Sequence, residues 1–386
     1  MDKNSMQTLD QSESKRHLAS IQVIRKLSPI KGADRIVLAT IEGWKAVVGK
    51  DDFKVGDKAV YFEIDSFLPV RDQYSFLGTP HTNHYMQETG YHIKTMKLRG
   101  QISQGLLVPI SKFDELTGDE PVGTDVTELL GIMKWYVPES IGSFGKRLAD
   151  FPTQFTEKSD EVRLQSNMQF LDELHDMPYY ISVKIDGTSI TLVKHEDEVM
   201  LASRNMTLDP KDSVLWTELT TVINKLKEMP QSDVVLQGEY YGEGIQKNRL
   251  GIRGHKWAIY TVQIAGKRCG LADSIQVAHN LGLDFVPIVE VGNASDTTKA
   301  MLTRLGVAKD VFIDAPFNYT LDELLDKSEG KYPNGHNREG IVIRNLYQLR
   351  EPIQVGMDTK LNLPKFEDYI SFKVINNKFL LKTEDD

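Results

Sequence analysis

Between residue 18 and about residue 115 the chain is cut by turn-forming residues into short apolar runs, repeating at intervals of about ten residues. The runs are Ile21-Gln22-Val23-Ile24, Ile36-Val37-Leu38-Ala39-Thr40-Ile41, Lys45-Ala46-Val47-Val48 and Ala59-Val60-Tyr61-Phe62-Glu63-Ile64. Gly, Asp and Lys-rich turns separate them, and Val55-Gly56-Asp57-Lys58 is a turn signal placed directly ahead of a strand. This punctuation predicts a small antiparallel barrel, closed by a further strand pair in Leu98-Arg99-Gly100-Gln101-Ile102-Ser103-Gln104-Gly105-Leu106-Leu107-Val108-Pro109.

A five-stranded barrel of this length fits an OB-fold, which commonly binds oligonucleotides across one face. Lys94, Lys97 and Arg99 are interleaved with apolar residues, and the last two are expected on one face of a strand. They read either as a basic stripe touching phosphates or as a solvated strand face. His81-x-x-His84 has no third ligand at a recognisable spacing, so a metal is not expected there. The formal net charge of -9 argues against a protein that coats nucleic acid by bulk electrostatics, while leaving room for a local basic groove. Part of that charge sits in two polar ends, with Asp2, Asp10 and Glu13 at one and Glu384, Asp385 and Asp386 at the other. The one cysteine, Cys269, excludes an internal disulfide framework and fits a reducing, intracellular setting. No apolar run of ~18 residues is present, and the polar start of the chain does not read as a signal peptide, so no membrane association is expected.

A length of 386 residues suggests two or three domains. The division read from the sequence is a polar tail over 1–17, the barrel over 18–119, a linker over 120–159 rich in Pro and Gly with a short helix near 127–135, and a second domain over 160–386. In that second domain Leu215, Leu219, Val222, Ile223 and Leu226 repeat at helical spacing, and Thr320-x-x-Glu323 is a capping box. The fold class is α+β.

The most informative stretch is Ser182-Val183-Lys184-Ile185-Asp186-Gly187-Thr188. It sets one amine after an apolar strand and before an Asp-Gly turn, where a reactive group can be held rigidly while the backbone bends around a ligand. A surface lysine at a hairpin turn would look the same in isolation. A nucleophilic lysine must be neutral when it attacks, yet a free lysine titrates near ~10.4. A divalent metal beside the amine would lower that value and neutralise a phosphate under attack, with carboxylates to hold it.

Downstream, in order, stand Ser203-Arg204-Asn205, Gly238-Glu239-Tyr240, Trp257-Ala258-Ile259-Tyr260-Thr261-Val262, Arg338-Glu339-Gly340-Ile341-Val342-Ile343-Arg344 and Ser371-Phe372-Lys373-Val374-Ile375. This ordered set resembles the collinear motifs of the covalent nucleotidyltransferase superfamily, which holds ATP-dependent DNA and RNA ligases and mRNA capping enzymes. The resemblance implies that Lys184 takes AMP as a lysyl-phosphoramidate, that Arg204 and Glu239 meet the ribose, that Tyr260 stacks on the base, that Lys373 contacts the α-phosphate, and that Val183 is among the nucleotide-binding residues. Asp186, Glu239 and Glu339 are the implied ligands of Mg (or Mn), and Arg163 with Gln165 the implied upstream phosphate contacts. The fifth motif departs from the usual Lys-x-Lys: Ile375 replaces the second lysine, and Lys378 stands three residues further on.

Domain order narrows the choice. Only residues 376–386 follow the fifth motif, too few for a barrel, so the barrel comes first. That order resembles the ATP-dependent RNA ligases with an amino-terminal OB domain, and implies a monomer using ATP and Mg (or Mn) in RNA repair, sealing RNA ends such as those of a nicked duplex. A capping-type guanylyltransferase, or a non-catalytic OB-type RNA-binding protein, are the alternatives.

Overall fold

The continuous apolar run Ala59-Val60-Tyr61-Phe62 needs cover on both sides, and the fold supplies it. In the computed structural model, which describes residues 16–136, 144–349, 353–358, 363–367 and 369–383, strand Lys58–Phe62 runs between Ala19–Val23 and Leu106–Pro109. Side chains alternate across a strand, so Val60 and Phe62 enter one apolar cluster with Ile21, Leu68, Tyr74 and Phe113. Ala59 and Tyr61 enter another, with Ile24, Ile41, Trp44 and Val48, beneath the sheet Lys26–Pro29, Ile36–Ile41, Trp44–Gly49. Strand Ser66–Pro69 pairs Glu88–His92 and Met133–Lys134, and Thr95–Leu98 pairs Gln101–Gln104.

The chain separates into two compact units, Met1–Glu139 with Leu381–Asp386, and Ser140–Leu380. The segment expected as a linker is divided between them. Val126, Leu130 and Ile132 are buried in the barrel unit's own core, and Thr127 Oγ1 accepts from the Ala19 N–H at 3.0 Å. The helix expected near 127–135 is one turn, closed by Leu130 N–H to the Val126 carbonyl and ended at Gly131, whose φ is 66°. Pro121, Gly123 and Gly131 mark turns of the barrel unit. Arg147–Asp150 is likewise a strand, paired with Met206–Leu208.

In the second unit the helical repeat from Leu215 to Leu226 forms two short helices, Val214–Glu218 and Thr220–Glu228, joined at Leu219. All five apolar residues are buried against the sheet that contains Thr188–His195, Asp233–Gly242 and His255–Ile264. A second sheet orders Val162–Arg163, Ser371–Ile375, Gly340–Asn345, Tyr179–Lys184, Ile288–Gly292 and Phe312–Ile313. The capping box forms: Thr320 Oγ1 accepts from Glu323 N–H at 3.4 Å, and Glu323 Oε2 from Thr320 N–H at 2.8 Å. Among the described residues no helix is long and apolar enough to cross a membrane.

Candidate active site

Strand register decides where Lys184 points. Lys184 is opposite Gly340, which is opposite Ile375; two residues back, Ser182 is opposite Val342, Val342 opposite Lys373, and Lys373 beside Arg163. Paired residues project to the same side of a sheet, so Lys184, Lys373 and Arg163 share one face. The alternate residues Ile181, Ile341, Ile343, Phe372 and Val374 are fully buried on the other, with Phe317 and Leu324. Val183 packs beside Ile185, Tyr241 and Val286, and its N–H donates to the Pro287 carbonyl at 2.9 Å.

Beyond the last strand pair the chain turns through Asp186-Gly187. A Cβ on Gly187 would lie 2.5 Å from the Tyr240 carbonyl and 2.9 Å from Glu239 Cγ, so glycine lets the turn approach strand Asp233–Gly242 of the other sheet. That approach sets four charged side chains together. Lys184 Nζ lies 2.6 Å from Glu339 Oε1, and Asp186 Oδ2 lies 2.6 Å from Arg249 Nη1. Glu239 joins them from strand Asp233–Gly242; on that strand and its partner Thr188–His195, Ser189, Thr191, Gln237 and Glu239 alternate with the buried Ile190, Leu192, Leu236 and Tyr240. The register slips between Gln237 and Gly238 and leaves Tyr260 as the extra residue of a bulge, which re-aims its ring. Its hydroxyl donates to Ser159 Oγ at 2.7 Å and lies 2.8 Å from Ser189 Oγ.

Residues 156–161 form a strap over this polar face. Gln237 Nε2 donates to the Glu157 carbonyl at 2.9 Å, Gln263 Nε2 to Thr156 Oγ1 at 3.0 Å, and Arg204 Nη2 lies 2.7 Å from Asp160 Oδ2. Glu161 pairs at 2.6 Å with Arg344, a buried guanidinium that also donates to Ser371 Oγ at 2.8 Å and to the Tyr260 carbonyl.

Known proteins match both units. A model of an OB-fold domain matches residues 18–110, and a model of RNA ligases matches residues 177–358. Three solved structures of Naegleria gruberi RNA ligase cover 96% of this chain and all of their own: a mutant with AMP and Mn at 29% identity and TM-score 0.79, a mutant with ATP and Mn at 28% and 0.79, and the enzyme with pyrophosphate at 28% and 0.78. Residues 177–358 belong to the RNA ligase family. A comparison with curated proteins finds no match.

The protein is therefore an RNA ligase, an α+β chain of an OB-fold followed by a sheet-rich nucleotidyltransferase unit; the Naegleria gruberi enzyme it resembles was solved with ATP or AMP and Mn. The electrostatics of the cluster bear on how a metal would be held. Burial pulls the Lys184 amine down, but the charges of Glu339, Glu239 and Asp186 and the Glu339 hydrogen bond outweigh it and hold the amine above the usual lysine range. Burial pushes the Glu239 carboxyl up to about 8, opposed by Lys184 and reinforced by Glu339 and Asp186. Burial and Glu339 likewise raise Asp186 against the pull of Arg249 and Lys184. Asp186, Glu239 and Glu339 offer carboxyl oxygens, the donors a hard divalent cation takes. The expected three-carboxylate cradle is nevertheless not assembled: among the described residues no three His, Cys, Asp or Glu side chains converge on one point. The reason is local, since Glu339 is engaged by Lys184 and Asp186 by Arg249.

The remaining expected residues divide. Lys373 and Arg163 are neighbours on the lysine face, whereas Lys378 lies on helix Asn377–Thr383, 61% exposed and 2.6 Å from Glu329. Gln165 is buried, Trp257 is core, and the Cys269 thiol is pushed up to about 11 by burial and Asp273, which removes it as a nucleophile at neutral pH. In the OB unit Lys97 stays in its strand, but Arg99 does not share that face. Arg99 and Gly100, with φ of 49° and 83°, form the two-residue hairpin turn, and Lys94 precedes the strand. All three are exposed. His81 and His84 are exposed and flank the buried Asn83. Sequence reasoning missed Arg249, Glu161 and Tyr332, and assigned no role to Arg344; each acts through a partner at least 63 residues away, leaving no local signal.

Proposed function

We propose that Lys184 is the nucleophile of this ligase. Its Nζ attacks the α-phosphorus of ATP; a P–N bond forms, the bond to the bridging oxygen breaks, and pyrophosphate leaves. An oxygen of the RNA 5′-phosphate then displaces the lysine, and an RNA 3′-hydroxyl displaces AMP to leave a phosphodiester. The observation that carries this reading is the 2.6 Å pair of Lys184 with Glu339, beside Asp186 and Glu239.

Lys184 must give up a proton before attack, and Glu339 is the group positioned to receive it. A divalent cation bound by these carboxylates supplies charge neutralisation at the α-phosphate and lowers the proton affinity of the amine. Lys373 and Arg163, on the same sheet face, are suited to the phosphates. Tyr260 offers a ring for the base, and Arg204, now paired with Asp160, is suited to the ribose with Glu239. Each step is in-line displacement, so the protein's share is positioning and charge.

The finer reading is a monomer working inside the cell on RNA ends held as a nicked duplex, with residues 18–119 gripping RNA through Lys94, Lys97 and Arg99 and residues 160–386 carrying the nucleotide chemistry. Incubation with α-labelled ATP and Mg²⁺, followed by a denaturing gel, tests the core of it. Label should stay with the protein and vanish in Lys184→Ala. Wild-type labelling of that variant removes this lysine from the mechanism.

A further inference from the structure

The pairing of the lysine strand with its neighbour ends at Lys184 and Gly340, yet the residues that matter most lie at or just past that end. Asp186 and Glu339 have backbone N–H groups beyond the last rung. One side chain takes both. The Tyr332 hydroxyl accepts from Asp186 N–H at 3.1 Å and from Glu339 N–H at 3.2 Å, and donates to the Lys184 carbonyl at 3.0 Å. A phenol has one hydrogen bond to donate, and here its oxygen also accepts two from the backbone; Tyr332 stands where the next rung of the sheet would be.

The ring cannot drift. Tyr332 is 5% exposed, and its segment is closed on itself by Tyr332 N–H to the His336 carbonyl at 2.9 Å and Arg338 N–H to the Gly330 carbonyl at 3.0 Å. The Arg338 guanidinium donates to the carbonyls of Ser328 and Lys327 at the end of helix Leu321–Ser328. On the far side Asn376 donates to the Arg338 carbonyl from its side chain and to the Glu339 carbonyl from its backbone, each at 2.9 Å.

We propose that Tyr332 is a positioning residue for lysine adenylylation: its hydroxyl fixes the backbone of Lys184, Asp186 and Glu339 relative to one another, and so sets the reach of the amine toward the α-phosphate. The proposal rests on the reading of Lys184 as nucleophile. Tyr332 is buried and its hydroxyl is spent on the backbone of Lys184, Asp186 and Glu339, so removing that hydroxyl should change the rate at saturating ATP and leave ATP binding almost unaltered.

The test is Tyr332→Phe in the full chain, measured as single-turnover labelling of the protein with α-labelled ATP and Mg²⁺ across a range of ATP concentrations and pH. A drop of roughly 10- to 100-fold in the maximal rate is expected, with the ATP concentration at half-maximal rate within about threefold of wild type. The rise of the rate with pH should also move, because the amine would no longer be held against Glu339. Three results overturn the proposal: a maximal rate within threefold of wild type, a loss confined to ATP binding, or a rate that falls only as far as the folded fraction measured by thermal melting. Hydrogen exchange of the unmodified chain gives an independent check. The amides of Asp186 and Glu339 should be protected as strongly as strand amides, and free exchange at both sinks the clamp. Lys184→Ala, run in parallel, separates the failures: if it still takes label the nucleophile is wrong, and if it does not while Tyr332→Phe labels normally, only the clamp is.

Discussion

If Glu239 holds a divalent cation, as proposed, the cation is expected to displace a proton from it at neutral pH. Its carboxyl stands at about 8, driven first by burial and then by the balance of Lys184 against Glu339 and Asp186. One pH unit below its pKa such a group is roughly nine-tenths protonated. Titrating the nucleotide-free ligase with Mn²⁺ should therefore release about 0.9 proton per site at pH 7 and about 0.1 at pH 9. Apparent affinity should rise about ninefold from pH 6 to pH 7 and level off above pH 8. Calorimetry in two buffers of different ionisation enthalpy reads the released proton directly. The stability of the metal-free chain carries the same signature with a defined sign. An unfolded glutamate titrates near ~4.3, so between that value and 8 the folded state holds the extra proton. The contribution is complete below the unfolded value and is lost as pH rises through 8. Glu239→Gln should abolish the proton release and flatten this part of the melting-temperature profile. Release near zero at pH 7, or unchanged in Glu239→Gln, refutes the reasoning.

The two lysines of the fifth motif should separate cleanly: Lys373→Ala is expected to slow adenylylation about 100-fold, the usual scale for a charge aimed at a transition state. Lys378→Ala, which removes an exposed pair with Glu329, should stay within about threefold, and equal losses in labelling assays would undo the distinction. Replacing Lys94, Lys97 and Arg99 together with Ala should leave labelling of Lys184 untouched but weaken RNA sealing. The log–log slope of sealing against salt should become shallower by about 3 if each of the three neutralises one phosphate. An unchanged slope would assign these residues to a solvated surface.

What could be read from the sequence was whatever has a short period or a fixed order. The strand from Tyr179 to Lys184, the capping box at Thr320 and Glu323, and the succession of motifs are of that kind. Arg99 was misread because alternation continues through a two-residue turn, and only the left-handed φ of Arg99 and Gly100 shows that the strand has ended. The helical repeat through Leu219 hid a break, since all five apolar positions stay buried on either side of it. Pairing was the illegible part. That Arg249 would claim Asp186, or Tyr332 the backbone of Lys184, depends on loops brought together by the two sheets, and no local residue pattern encodes such a meeting.

The alternation in the lysine strand has a consequence for how such an enzyme can change over generations. Lys184, opposite Gly340, and Ile181, opposite Ile343, belong to opposite faces of one ribbon. Substituting a side chain there alters one face, whereas inserting or deleting a single residue exchanges the two, carrying the amine into the cluster of Phe317, Phe372 and Leu324 and an isoleucine into its place. Descent along this strand is therefore confined to changes of letter, and chain length can drift only where no ladder is counting.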